Sequence, residues 1–267
     1  MTWVFLATSG VLGLVIGSFL NVVIHRGPAL WKLVDDEART GNLAFPSSYC
    51  PACKEPIRAH QLIPLFSYIA LGGKCANCAA PISFRYPVVE IMGAAAGVIA
   101  AAHWGVTGAA FAAAIFFWAL IALAAIDLET GYLPDAITLP LIAAGLIANG
   151  FGIFTPFSNA LIGATIGYLA FAGIALAFKK LRGIEGLGLG DAKLLAAIGA
   201  WLGWASLAPV VLLAALVALL GIGVANFRGA KIGAQTPSPF GPALAAAAAI
   251  ALIANGAQLP MLDAIFP

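Results

Sequence analysis

The chain has 267 residues, of which 62% are hydrophobic and 9% charged, with a formal net charge of +2. Soluble domains carry about 25% charged residues, so this balance names lipid as the main solvent and excludes an ordinary soluble enzyme. The near-neutral charge leaves no basic footprint, and no nucleic-acid partner is expected.

A helix that crosses a membrane needs about 20 apolar residues. Apolar runs fall at 3–24, 87–105, 107–126, 136–155, 158–178, 193–208, 209–226 and 240–257, which predicts an all-α polytopic membrane protein of about eight helices. No Lys or Arg precedes the first run, and the first basic residue is Arg26, behind it. A secretory signal has a basic stretch ahead of a shorter apolar one, so this run is expected to be an uncleaved anchor. The sixth and seventh runs are almost continuous. Only Gly203, Trp204 and Pro209 mark a turn between them, and seven helices with one kinked member is the alternative.

The basic residues decide between the two. Of the 13 Lys and Arg, seven lie between the first two runs (Arg26, Lys32, Arg39, Lys54, Arg58, Lys74, Arg85). Four surround the loop after the fifth run (Lys179, Lys180, Arg182, Lys193), and two follow the seventh (Arg228, Lys231). With eight helices and both termini outside, all 13 face the cytoplasm, as the positive-inside rule requires. Seven helices would put Arg228 and Lys231 outside.

The expected organisation is a first membrane helix over 1–26, a cytoplasmic loop over 27–84 and a seven-helix core over 85–267. The loop opens with a charged stretch, 31–43, which reads as a short surface helix. It is too small to bury a large core unaided. Residues 227–239 read as a short flexible connection, and no internal repeat of fixed period is evident.

All four cysteines fall in the large loop, as Cys50-Pro51-Ala52-Cys53 and Cys75-Ala76-Asn77-Cys78, with 21 residues between the pairs. Two such pairs read as a tetrahedral zinc site, each tight turn presenting two thiolates. Two disulfides or a thiol redox role are the alternatives, and a cytoplasmic loop argues against the first. Four thiolates close a zinc ion to substrate water, so the metal is expected to be structural.

Most of the eleven acidic residues sit in loops where solvation accounts for them. Asp127 and Asp191 are different. Asp127 ends the third run, and Asp191 follows Gly186-Leu187-Gly188-Leu189-Gly190 and opens the sixth helix, both at the inner membrane edge. Carboxylates at membrane depth are costly and mark functional sites. The glycines before Asp191 permit close approach and unusual backbone conformations. A phosphate cradle is excluded because the Lys-Ser/Thr pair of a Walker loop is missing. Asp191 also suits an N-cap. Asp135 is expected to cap the fourth helix, and Glu90 to pack or pair with Arg85. The histidines (His25, His60, His103) are not grouped with the two aspartates, so neither a His base nor a hydroxyl-nucleophile triad is expected.

At these residues the chain resembles the type IV prepilin peptidase family, bifunctional leader peptidases and N-methyltransferases. The likeness runs through Gly17-Ser18-Phe19-Leu20-Asn21-Val22-Val23-Ile24 and both cysteine pairs with Ile63-Pro64 and Ser67-Tyr68 between them. It continues in Ile82-Ser83-Phe84-Arg85-Tyr86-Pro87 through Glu90, Asp127 with Leu133-Pro134-Asp135, Gly188-Leu189-Gly190-Asp191 with Lys193, and Pro239-Phe240-Gly241-Pro242. The resemblance implies Asp127 and Asp191 as a catalytic pair, supported by Gly188, Gly190 and Lys193. It implies prepilins or pseudopilins as substrates, cut after a Gly at the cytoplasmic face of a bacterial inner membrane. It also implies S-adenosylmethionine as methyl donor for the new N-terminus, at a site no motif here locates.

Two carboxylates sharing a proton cut a peptide without metal or cofactor, one activating water and the other donating to the carbonyl. Asp127 closes one helix and Asp191 opens another, so helix dipoles alone would make Asp191 the base. A membrane thiol oxidoreductase and an ion-coupled transporter are the rival readings. The first needs cysteines on the other face, and the second needs carboxylates nearer mid-membrane.

Overall fold

The computed structural model describes residues 2–35, 42–182, 188–229 and 239–255. Its regular elements are helices, apart from two isolated bridge pairs in the loop. They are α1 (Thr2–Leu30), α2 (Phe66–Ala70), α3 (Arg85–Trp104), α4 (Gly108–Thr130), α5 (Asp135–Gly150), α6 (Phe157–Arg182), α7 (Leu189–Leu202), α8 (Leu207–Phe227) and α9 (Gly241–Asn255).

The eight apolar runs become α1 and α3 to α9, in order. Five of these are long and apolar enough to cross a membrane: α1, α3, α4, α6 and the stretch Trp204–Phe227 that contains α8. The other three are shorter, at 16 residues for α5, 14 for α7 and 15 for α9. The break between the sixth and seventh runs is real, but it sits earlier than the sequence suggested. Gly203, at φ +79°, ends α7 in a conformation that suits glycine. Pro209 lies inside the first turn of α8, where its missing N–H leaves no helical bond unmade.

Two expectations about the loops meet the edge of the described residues. The surface helix expected over 31–43 falls partly on residues 36–41, outside the described set, and residues 31–35 are turns. Most of the 227–239 connection, together with Gly186 and Leu187, also lies outside it. α1 itself continues past the predicted end of the first run, through Pro28. Its last turns are held by Arg26, which is buried and donates to the carbonyls of Asn42 (3.1 Å) and Pro46 (2.8 Å) in the loop.

The chain divides into two compact units, one built by residues up to Ala122 and the other by Leu123–Ala257. In the first, α1 and α3 lie backbone against backbone. A Cβ on Gly13 would stand 2.3 Å from the Gly93 carbonyl oxygen, and one on Gly97 would stand 2.5 Å from that of Ser9. Such contact between glycine faces is how helices associate where lipid is as apolar as the side chains. The indole of Trp118 on α4 donates to the Gly93 carbonyl at 3.0 Å.

The second unit is organised around α7, on which every residue from Ala192 to Leu202 except Lys193 is buried. Gly163 and Gly167 of α6 meet Gly199 and Leu195 of α7 with no room for a Cβ. From α5, Gly145 seats the Trp201 ring, whose Nε1 donates to the Leu141 carbonyl at 2.8 Å. Asn149 donates to the Ala200 and Trp201 carbonyls at 2.8 and 3.0 Å. These are last-turn acceptors of α7 with no helical partner of their own. α7 is therefore a short, buried helix fixed along its length and at its far end, and Asp191 sits at its start.

Candidate active site and metal centre

In the first unit the two cysteine pairs form matching turns. Cys50 N–H donates to the Glu55 carbonyl and Lys54 N–H returns to Cys50 (2.9 and 2.8 Å), while Cys75 N–H donates to Ala80 and Ala79 N–H returns to Cys75 (2.8 and 3.0 Å). Bridges Tyr49–Pro56 and Lys74–Pro81 close each turn. The residue after the second cysteine is left-handed in both, Lys54 at φ 61° and Ala79 at φ 55°. The sequence carries this duplication as Cys-x-x-Cys-x-x-Pro-Ile at 50–57 and again at 75–82, a local repeat that a search for one fixed period does not detect.

The four sulfurs lie within 4.8 Å of one another, and Cys50 and Cys78 are 3.9 Å apart. A tetrahedral ion with metal–sulfur bonds of about 2.3 Å needs sulfurs about 3.8 Å apart, so four cysteines fit such an ion. Backbone N–H groups favour the thiolates. Those of Cys78 and Asn77 lower the Cys75 thiol to about 7. That of Glu55, followed by the Asn77 side-chain amide, lowers Cys53. At Cys78 the Ala80 N–H pulls the same way, but desolvation and the three neighbouring thiols outweigh it and push the group up to about 11. The cluster can thus hold a metal ion.

Glu90 has a different partner from the one expected, while His60 and His103 lie where the sequence put them, in the loop and at the end of α3. Glu90, buried on α3, does not answer Arg85 but accepts the Leu65 N–H at 2.8 Å, tying the loop to the helix. His60 lends its carbonyl to Ser67. His103 is buried at the end of α3.

The second unit assembles the carboxylates. Asp127 occupies the last turn of α4 and is 5% exposed. Gly131, at φ +70°, ends that helix and returns its N–H to the Asp127 carbonyl at 2.8 Å. The chain then runs extended through Leu133 and Pro134, the N-cap of α5. Asp135 is therefore the first helical residue, not the cap, and its carboxylate pairs with Lys193 at 2.5 Å. This pair ties α5 to α7.

Asp191 is not the N-cap of α7 either. That position belongs to Gly188 (φ −74°, ψ 141°), which places Asp191 in the first turn. Its carboxylate reaches back to the Gly188 backbone, and it feels the charge of Asp127. Reaching back from the third helical position to the cap is half of a capping box.

Neither Gly188 nor Gly190 has a positive φ, and of the two Gly190 is the one short of space. A Cβ on Gly190 would stand 3.0 Å from Cβ of Leu133. Leu133, itself buried, presses on Gly241 from the other side, where a Cβ would stand 3.2 Å from Leu133 Cδ2 and 2.6 Å from Asp127 Oδ2. The Gly241 N–H donates to Asp127 Oδ2 at 3.0 Å. Gly241 is a contact of Asp127 that reading the sequence missed. Its signal was the segment Pro239-Phe240-Gly241-Pro242 before the last helix, which carried the family likeness but no role. It also changes the dipole argument, because α9 begins on Asp127 and adds a third helix end to the two that the sequence allowed for.

Residues 11–104 match the bacterial peptidase A24 N-terminal domain and residues 114–224 match the type IV leader peptidase family. The chain belongs to that family. It is 48% identical over 263 residues to a prepilin leader peptidase/N-methyltransferase of Burkholderia pseudomallei (strain 1026b), covering 92% of this chain and 84% of that one. It is 46% identical over 256 residues to a protein of the same name from Pseudomonas aeruginosa, covering 91% and 88%. With the one from Neisseria gonorrhoeae it shares 41% over 261 residues, covering 92% and 90%. No solved structure matches it. Within this leader-peptidase chain the cysteines lie in the N-terminal match and both aspartates in the second, while Gly241 lies beyond either.

Proposed function

We propose that this protein is a prepilin leader peptidase and N-methyltransferase of a bacterial inner membrane, with Asp127 and Asp191 as its catalytic pair. The observation that carries the reading is the second unit's meeting of a buried carboxylate, Asp127, with a second one, Asp191, that feels its charge. Like charges this near cannot both ionise easily, so the pair holds one proton between them. The ionised member takes a proton from water as it attacks the scissile carbonyl, and the protonated member donates to the carbonyl oxygen. Both groups are fixed by backbone N–H contacts, so little must reorganise as charge moves.

The substrate would be a prepilin or pseudopilin, cut after a Gly that follows its short basic leader. Basic residues of the leader stay on the cytoplasmic side for the reason that this chain's own do. Both termini would then face outward, with the cut made at the cytoplasmic surface. The new N-terminal amine is methylated with S-adenosylmethionine as second substrate. The ion we assign to the cysteine cluster is zinc, in a structural role. Four thiolate donors at nearly tetrahedral spacing support that choice.

Incubating the purified protein with a prepilin, with and without S-adenosylmethionine, tests this directly. The expected masses are the leader-free product alone and the same product plus one methyl group. An uncut prepilin under both conditions would refute the assignment.

A further inference from the structure

The buried carboxylate of Asp127 has one hydrogen-bond donor among the described residues, and that donor is the backbone of Gly241, 114 positions along the chain. We propose that Gly241 is a positioning residue for leader cleavage: its N–H locks Asp127 Oδ2, so that Oδ1 is the oxygen left to work on water and on the proton shared with Asp191. The inference rests on Asp127 and Asp191 being the catalytic pair, and it says which oxygen of Asp127 does the work and what holds it.

Three features carry it. The first is the bond itself, at 3.0 Å and buried. A carboxylate oxygen that accepts a backbone N–H at this distance has its rotation about the Cβ–Cγ bond fixed, because swinging away would strand a buried donor. The second is space. The missing side chain of Gly241 is what lets Asp127 in, since a Cβ there would stand 2.6 Å from Oδ2 and 3.0 Å from Cγ. Any other residue would drive the carboxyl away from its donor. The third is support from behind. Leu133 fills the place between Gly241 and Gly190, so the start of α9 and the start of α7 are spaced by one side chain. Asp191 lies next to Gly190, and the wedge that fixes Gly241 against Asp127 therefore also sets where Asp191 stands.

The position of Gly241 in its helix fits the task. It is the first residue of α9, and Pro242 follows it. A first-turn N–H has no helical acceptor, so it is free to serve an outside carboxylate. Proline next in line has no N–H of its own to compete, and its fixed φ suits a helix start. A glycine followed by proline thus presents one backbone donor at this point.

Two measurements test this. In the kinetic one, Gly241→Ala is compared with wild type for leader cleavage. The expected result is a fall in kcat of roughly tenfold to a hundredfold, the scale of a carboxyl misplaced by under an ångström, with KM within about twofold. Wild-type kcat in a folded Gly241→Ala protein would overturn the proposal, as would a change confined to KM. The second measurement does not depend on activity or on that variant folding. Carbonyl-13C phenylalanine with 15N glycine singles out two amide signals, from Phe151–Gly152 and Phe240–Gly241. Asp127→Ala should move the Gly241 amide proton upfield and leave Gly152 in place. If Gly241 does not respond, the proposed lock is absent whatever the kinetics show. Should Asp127→Asn cleave prepilin normally, the catalytic pair itself is wrong, and the amide measurement still reports the contact.

Discussion

The cysteine loop of the first unit and the helix ends of the second hold reactive groups by opposite means. In the loop the holding groups are near neighbours in sequence: each pair of thiols sits on one turn, and the turn closes through hydrogen bonds within six residues. Over 42–84 only Cys50 and Ser67 are buried, and the four sulfurs gather within 4.8 Å. In the second unit the holding groups are far apart in sequence and chemically plain. Glycines let a leucine and a carboxyl approach, and backbone N–H groups at two helix starts meet two aspartates. On the function proposed above, the loop should fail when its ion is removed, whereas the aspartate pair should fail when a Cβ is added.

The largest expected effect is on the pair itself. Asp127→Asn or Asp191→Asn should each reduce leader cleavage by roughly a thousandfold or more, the scale reached when one member of a concerted set is lost. Product mass after prolonged incubation reads this. Normal cleavage by either variant would remove the second unit's claim to the chemistry.

Next is the metal. Cys50→Ser removes the buried ligand of the four, and elemental analysis should find the bound ion lost. The loop over 42–84 should become protease-sensitive, because ion binding and folding of so small a segment are one event. Cleavage should fall much less than in the aspartate variants. A Cys50→Ser protein as inactive as Asp127→Asn would break the division of labour drawn above.

A smaller effect is expected at the wedge. Gly190→Ala places a methyl 3.0 Å from Leu133 Cβ, an overpacking that costs about 1–3 kcal/mol. Leu133→Ala in the same chain should recover part of that loss, and a double-mutant cycle in thermal unfolding and in kcat measures the coupling. Simple additivity would mean that Leu133 does not space the two helix starts.

The smallest effect belongs to the Asp135–Lys193 pair, whose side chains are 55% and 26% exposed. Pairs so open to solvent contribute about 0–1 kcal/mol. Asp135→Asn should therefore retain most cleavage activity, and its small deficit against wild type should narrow as salt screens the pair. A thousandfold loss would promote Asp135 into the catalytic set.

Much was legible in the amino-acid order, for reasons of range. Lipid as solvent forces long apolar runs, so the order of the eight helices could be read directly. A cysteine pair on one turn is a local object, and its duplicate advertises the cysteine cluster. A carboxylate at the end of an apolar run is conspicuous because its burial is costly. Only the tertiary structure decided the rest. The start of α7 at Leu189, the pairing of Lys193 with Asp135, the seat of Leu133 between two glycines and the bond from Gly241 to Asp127 all depend on segments far apart in the chain. Their groups carry little signature of their own: a glycine N–H resembles any other until a helix start is brought against a carboxylate 114 residues away.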